Sequence, residues 1–77
     1  MSNCQLDHSH EDVLKKYQSQ KEFLPNEMVP LFNQFFAKEH TQLVLNEMFH
    51  LLKKYDLSSK DEKEQRNQQI LTLLNNM

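Results

Sequence analysis

The stretch MVPLFNQFFAKEHTQLVLNEMFHLLKKYDL, residues 28–57, decides the fold of this chain. Sixteen of its thirty residues are apolar or aromatic, and neither Gly nor Pro interrupts the sequence after Pro30. Its apolar residues recur at intervals of three and four, which is the period of an amphipathic helix. The stretch therefore predicts helical structure with a large apolar surface.

The apolar positions of this stretch fall on two helix faces. At about 100° per residue, those of residues 44–55 cover an arc of roughly 160°, and those of residues 31–36 lie on an arc rotated by about 150°. A straight helix would bury opposite sides in its two halves. We therefore expect a break within residues 38–41, with Thr41 as the N-cap of the second helix. One long helix whose halves face different neighbours is the alternative.

An apolar stripe upstream predicts a first helix. Its members are Leu6, His10, Val13, Tyr17 and Leu24. Ser9 fits the N-cap because its hydroxyl can accept from the backbone N–H of Asp12, and an earlier start is the alternative if Leu6 belongs to the helix. Pro25 should end this helix, since the residue before a proline avoids the α region. Pro30 fits the first position of the next helix.

The last helix is indicated by a capping box, in which Ser59 and Glu62 occupy the S-x-x-E positions and Leu57 can pack back as a hydrophobic staple. Residues 58–69 contain no apolar residue, so the first turns should stand in solvent, held by the pairs Lys60–Glu64 and Glu62–Arg66. The side chains left for burial are Ile70, Leu71, Leu73, Leu74 and Met77.

The composition excludes several classes of protein. The chain has no Gly and two Pro, which removes Gly-rich phosphate loops and tight hairpins, and its net charge of −2 argues against nucleic acid and membrane partners. The single Cys cannot form an intramolecular disulfide. With no visible signal peptide and no membrane-length apolar run, we expect a cytoplasmic protein. The Asn, Gln and Lys bias suggests a bacterial or phage origin.

Two sequence patterns, one of Cys and His and one of Glu and His, are candidates for metal sites. Cys4, His8 and His10 form C-x3-H-x-H, whose thiolate and imidazole groups suit zinc or copper, but the pattern lacks a fourth ligand. Glu47 and His50 form an E-x-x-H step that lies on the polar face and lacks the further ligands of a di-iron site. We therefore expect no cofactor, with the N-terminal cluster as a weak metal candidate.

These patterns predict an all-α protein, a small bundle of three to four helices in one domain over residues 1–77, with residues 1–8 as a flexible tail. The terminal Met residues suggest a complete small protein. The apolar face of residues 44–55 looks too wide for the other helices to cover, which predicts a homodimer or a protein partner. The contact residues expected are Phe32, Phe35, Phe36, Leu45, Phe49 and Leu52.

The function expected from the sequence is that of a non-enzymatic interaction or regulatory protein, which binds an unidentified protein through helical faces. No catalytic residue is indicated, because Cys4 lies in the tail and the serines fall at helix starts. The alternative function is a metal-binding module built on the N-terminal Cys/His cluster.

Overall fold

The computed structural model describes residues 8–75. Within that range the chain forms four α-helices and no strand, which confirms the all-α class. The helices are α1 (His10–Gln20), α2 (Val29–Phe36), α3 (Gln42–Leu52) and α4 (Lys60–Asn75). Short 3₁₀ turns lie between them at Lys21–Phe23, Asn26–Met28 and Tyr55–Leu57.

The start of α1 follows from a reciprocal cap. The Ser9 hydroxyl accepts from the N–H of Asp12, and the Asp12 carboxylate accepts from the N–H of Ser9. The predicted N-cap is therefore confirmed. The α-helix ends at Gln20, earlier than expected, and Leu24 before Pro25 is extended, with φ −86° and ψ 154°.

The break between α2 and α3 is also confirmed. Thr41 caps α3, since its hydroxyl accepts from the N–H of Val44 over 3.3 Å. The alternative of one long helix is wrong. Pro30 is the second residue of α2, which begins at Val29, rather than the first.

The start of α4 departs from the expected motif in two ways. Ser59 caps the helix by accepting from the N–H of Glu62, but the Glu62 carboxylate pairs with Arg66 at 2.7 Å. Leu57 is 76% exposed and does not act as a staple, since its side chain faces solvent. The Glu62–Arg66 pair that the sequence predicted is confirmed.

One core cluster of buried apolar side chains joins all four helices. Its members are Val13, Tyr17, Leu24, Met28, Phe32, Phe35, Leu45, Met48, Leu51, Leu52, Tyr55, Ile70 and Leu74. Leu24, Met28 and Tyr55 come from the segments between the helices. The expectation that α3 has too wide a face for one chain to cover is corrected here, because Leu45, Met48, Leu51 and Leu52 are buried within the single chain, and Val44 and Phe49 pack against its core.

Candidate functional site

The six residues expected at an interface lie in two environments. Four of them are buried in the core of the single chain: Phe32, Phe35, Leu45 and Leu52. Phe36 and Phe49 are half-buried and pack against that core. The four buried side chains therefore stabilise the fold of one chain and offer little area for another molecule to contact. Their role in an interface stays a prediction.

The ring of Phe49 is covered by the segment before α1 and by α1 itself. His8 stacks on it with ring centroids 3.5 Å apart, and the Lys16 ammonium lies 5.4 Å from the ring centroid. The backbone of His8 is fixed as well, because its N–H donates to Asn46 Oδ1 over 2.8 Å and its carbonyl accepts from Gln42 Nε2 over 2.6 Å. His8 is thus held on α3 by both backbone and ring.

The candidate metal ligands do not come together within the described part of the chain. Cys4 lies outside it, as do residues 1–7 of the flexible tail predicted over residues 1–8. His8 lies on α3, and the ring of His10 meets Phe36 edge-on with centroids 5.5 Å apart. The described residues hold no group of three or more His, Cys, Asp or Glu placed to bind a metal ion. Metal binding by the N-terminal cluster stays a prediction.

The Glu47 and His50 side chains are exposed, as their polar-face position predicted. They border an open groove of about 630 Å³ between α3 and α4. We call this the α3–α4 groove; it is lined by Glu47, His50, Leu51, Ser59, Asp61, Glu62, Gln65, Arg66 and Gln69. The ring of His50 also meets the ring of His8 edge-on, with centroids 6.0 Å apart. His50 therefore lines the groove and contacts the segment before α1.

Arg66 fixes the position of α4 against the end of α3. Its Nη1 donates to the carbonyl of Lys53 over 2.7 Å and to that of Leu51 over 3.3 Å, while Nη2 pairs with Glu62. The last carbonyls of a helix lack partners within the helix, so a guanidinium is well suited to this place. The sequence indicated only the Glu62 pair, because the contact with α3 joins residues 13 and 15 positions apart.

A second, more apolar cavity of about 350 Å³ lies where α1, α2 and α3 approach one another. His10, Phe36, His40 and Leu45 are among the residues that line it. His40 Nε2 lies 2.6 Å from the carbonyl oxygen of Phe35, and its ring stacks on the Phe35 ring at 3.9 Å. His40 therefore closes the turn after α2 and is engaged with the core.

Tyr17 carries a buried polar group without a hydrogen-bond partner among the described residues. Its ring stacks on Phe32 with centroids 4.3 Å apart. Burial raises the pKa of the Tyr17 hydroxyl above its ordinary value, because the phenolate would lose its hydration. The group lies in the core, and we assign it a part in stability rather than in a site.

No family model, no curated protein and no solved structure matches the chain. None of the helices among the described residues combines the length and the hydrophobicity needed to cross a membrane.

Proposed function

We propose that this chain is a non-enzymatic interaction or regulatory protein that binds a partner protein through the α3–α4 groove. The observation that carries the proposal is the groove itself, which is open to solvent, has a volume of about 630 Å³ and lies between two helices. Grooves between helices are a common seat for a helical segment of another protein. The lining is mostly solvent-exposed, whereas catalytic sites tend to exclude water from the reacting groups.

An exposed apolar residue on α3, next to the groove, also supports partner binding on this side of the molecule. Leu43 precedes Glu47 by four residues, so it lies one turn earlier on that side of the helix. Its side chain is 76% exposed, which is high for a large apolar residue. A partner seated in the groove and extended toward the start of α3 would gain an apolar contact there.

Site-specific photo-crosslinking tests this proposal. A benzophenone amino acid placed at Gln65 or Gln69, both exposed on the groove wall, should crosslink a partner protein in the cells that encode the chain. Gln18 and Asn33 are exposed positions outside the groove lining and serve as controls. An adduct formed at the groove positions alone supports the proposal. Equal adducts at all four positions, or none at the groove positions, would contradict it.

A further inference from the structure

The walls of the α3–α4 groove have the spacing of helix ridges. On α3, Glu47 and His50 lie three residues apart. On α4, successive lining residues are separated by three and by four positions: Glu62, Gln65 and Gln69. Side chains with this spacing form ridges on a helix surface, and the ridges of a neighbouring helix pack into the grooves between them. On the α4 side the lining runs from the cap residue Ser59 to Gln69, which corresponds to roughly 15 Å of helix rise. A helical segment of about three turns would fill this length.

The charge of the groove is negative. Three carboxylates line it, those of Glu47, Asp61 and Glu62, against the single guanidinium of Arg66. That guanidinium already donates to the carbonyls of Leu51 and Lys53 at the end of α3 and pairs with Glu62 at 2.7 Å. The nearby Lys63 is not part of the lining, and its ammonium lies 5.6 Å from the Tyr55 ring centroid. The field in the groove therefore favours a positively charged occupant.

The groove offers a small apolar contact, because one of its nine lining residues is apolar. Leu51 lines it and is only 8% exposed, so its side chain belongs mainly to the core. A metal ion would make no favourable contact with the Leu51 side chain, and the described residues hold no group of three or more ligands for a metal ion. A small apolar contact between acidic walls is complementary to a helix that carries Lys or Arg beside an apolar side chain.

We infer that the occupant of the α3–α4 groove is a basic amphipathic helix of the partner protein. This inference rests on the proposed function and adds the chemistry of the segment that is bound. Ion pairs at the edges of such a groove are partly exposed, so each contributes modestly and the attraction weakens in salt.

A pair of designed peptides tests the inference. Both are capped helices of about 18 residues, long enough to hold helical structure in isolation, with identical Leu positions. One carries Lys beside the Leu residues and the other carries Glu. Fluorescence anisotropy with the full chain should show binding of the Lys peptide about tenfold tighter than of the Glu peptide, since Glu47 and Asp61, the two groove carboxylates other than the one that pairs with Arg66, each contribute a few-fold. The preference should shrink as salt is raised.

Matched variants decide whether the charge acts in the groove. The double variant Glu47→Gln, Asp61→Asn should weaken the Lys peptide about fivefold, because two of the three groove carboxylates are lost. The control Glu22→Gln, Glu27→Gln makes the same change in net charge at exposed positions outside the groove, and should leave the affinity unchanged. Circular dichroism checks that both variants stay folded.

Three results would overturn the inference: equal binding of the two peptides, no binding of the Lys peptide, or an equal loss of affinity in the control variant. The crosslinking experiment separates these from failure of the proposed function. A partner adduct at Gln65 without a preference for the Lys peptide would retain protein binding by the groove and reject the basic helix. Absence of both the adduct and the preference would reject both.

Discussion

Tyr17 and Tyr55 are both buried in the core, but their hydroxyl groups have different surroundings. The Tyr55 hydroxyl donates to Asn67 Oδ1 over 2.6 Å, which ties the turn after α3 to α4. The Tyr17 hydroxyl has no hydrogen-bond partner among the described residues. A buried polar group left without a partner costs roughly 1–3 kcal/mol, so the two tyrosines should respond in opposite ways to loss of the oxygen.

Replacing Tyr17 by Phe should raise the free energy of unfolding by about 1 kcal/mol, because the ring keeps its contacts while an unpaired hydroxyl is removed. The matched control is Tyr55→Phe, which should lower it by about 1 kcal/mol, since it breaks a buried hydrogen bond. Urea unfolding followed by circular dichroism measures both. A Tyr17→Phe variant less stable than the parent would show that the hydroxyl is paired.

The raised pKa of Tyr17 also predicts a dependence of stability on pH. Above about pH 10 the unfolded chain releases the phenol proton more readily than the folded chain does, so the unfolded state binds fewer protons. The contribution of Tyr17 to stability is therefore complete below that pH and is lost as the pH rises through the folded pKa. As the pH is raised from about 9 to about 11, the free energy of unfolding of Tyr17→Phe should fall less than that of the parent chain. An equal fall in both chains would contradict the raised pKa of Tyr17.

At the scale of the elements, the end of α3 depends on one residue in an unusual conformation. Lys54 follows the C-cap residue Lys53 and has φ 56° and ψ 27°, in the left-handed region. Glycine commonly fills this position after a helix because it has no Cβ to clash with the backbone. The chain contains no Gly, so Lys54 takes the conformation at a cost of roughly 1 kcal/mol.

Lys54→Gly should therefore raise the free energy of unfolding by about 0.5–1 kcal/mol, the steric gain being partly offset by the greater freedom of Gly in the unfolded chain. The control Lys54→Ala removes the same charge but keeps the Cβ, and should bring no such gain. Thermal and urea unfolding of the three chains measure the difference. Equal stability of the Gly and Ala variants would show that the left-handed conformation carries no cost here.

The helix boundaries were predictable where a local signal marks them. Ser9 and Thr41 each lie three residues before the N–H that they accept from, so a cap can be recognised from neighbouring residues. Other contacts join distant positions, such as His8 with Asn46 and Gln20 with Asp56, which are 38 and 36 residues apart. Helical periodicity reports which side of a helix is apolar and gives no information about such pairs.

The same reasoning explains what could be predicted of the α3–α4 groove. The polar-face position of Glu47 and His50 followed from the phase of α3, and the exposure of the first turns of α4 followed from the absence of apolar residues there. The groove itself depends on where α4 packs. That placement is set by the hydrogen bonds of Arg66 to the backbone carbonyls at the end of α3 and by the burial of Ile70, at 0% exposure, and Leu74, at 7%. A single sequence does not specify these contacts.

For the whole molecule, the packing changes the expectation for self-association. The homodimer was expected because the apolar face of α3 looked uncovered, and the buried positions of Leu45 and Leu52 within one chain remove that reason. We therefore expect light scattering on a sizing column to give the mass of one chain, 9.3 kDa, at every concentration tested. Leu52→Asp would place a charge in the core, at 0% exposure, so this variant would report on folding and not on self-association.

The exposed residues Leu43 and Leu57, each 76% exposed, provide the informative variants. If the parent chain has twice the expected mass, Leu43→Asp or Leu57→Asp should return it to a single chain wherever that residue forms the contact, with the fold retained. A dimer that survives both changes would place the contact elsewhere on the surface. A dimer lost only with Leu43→Asp would place a second copy beside the α3–α4 groove, where it would compete with the Lys peptide in the anisotropy measurement.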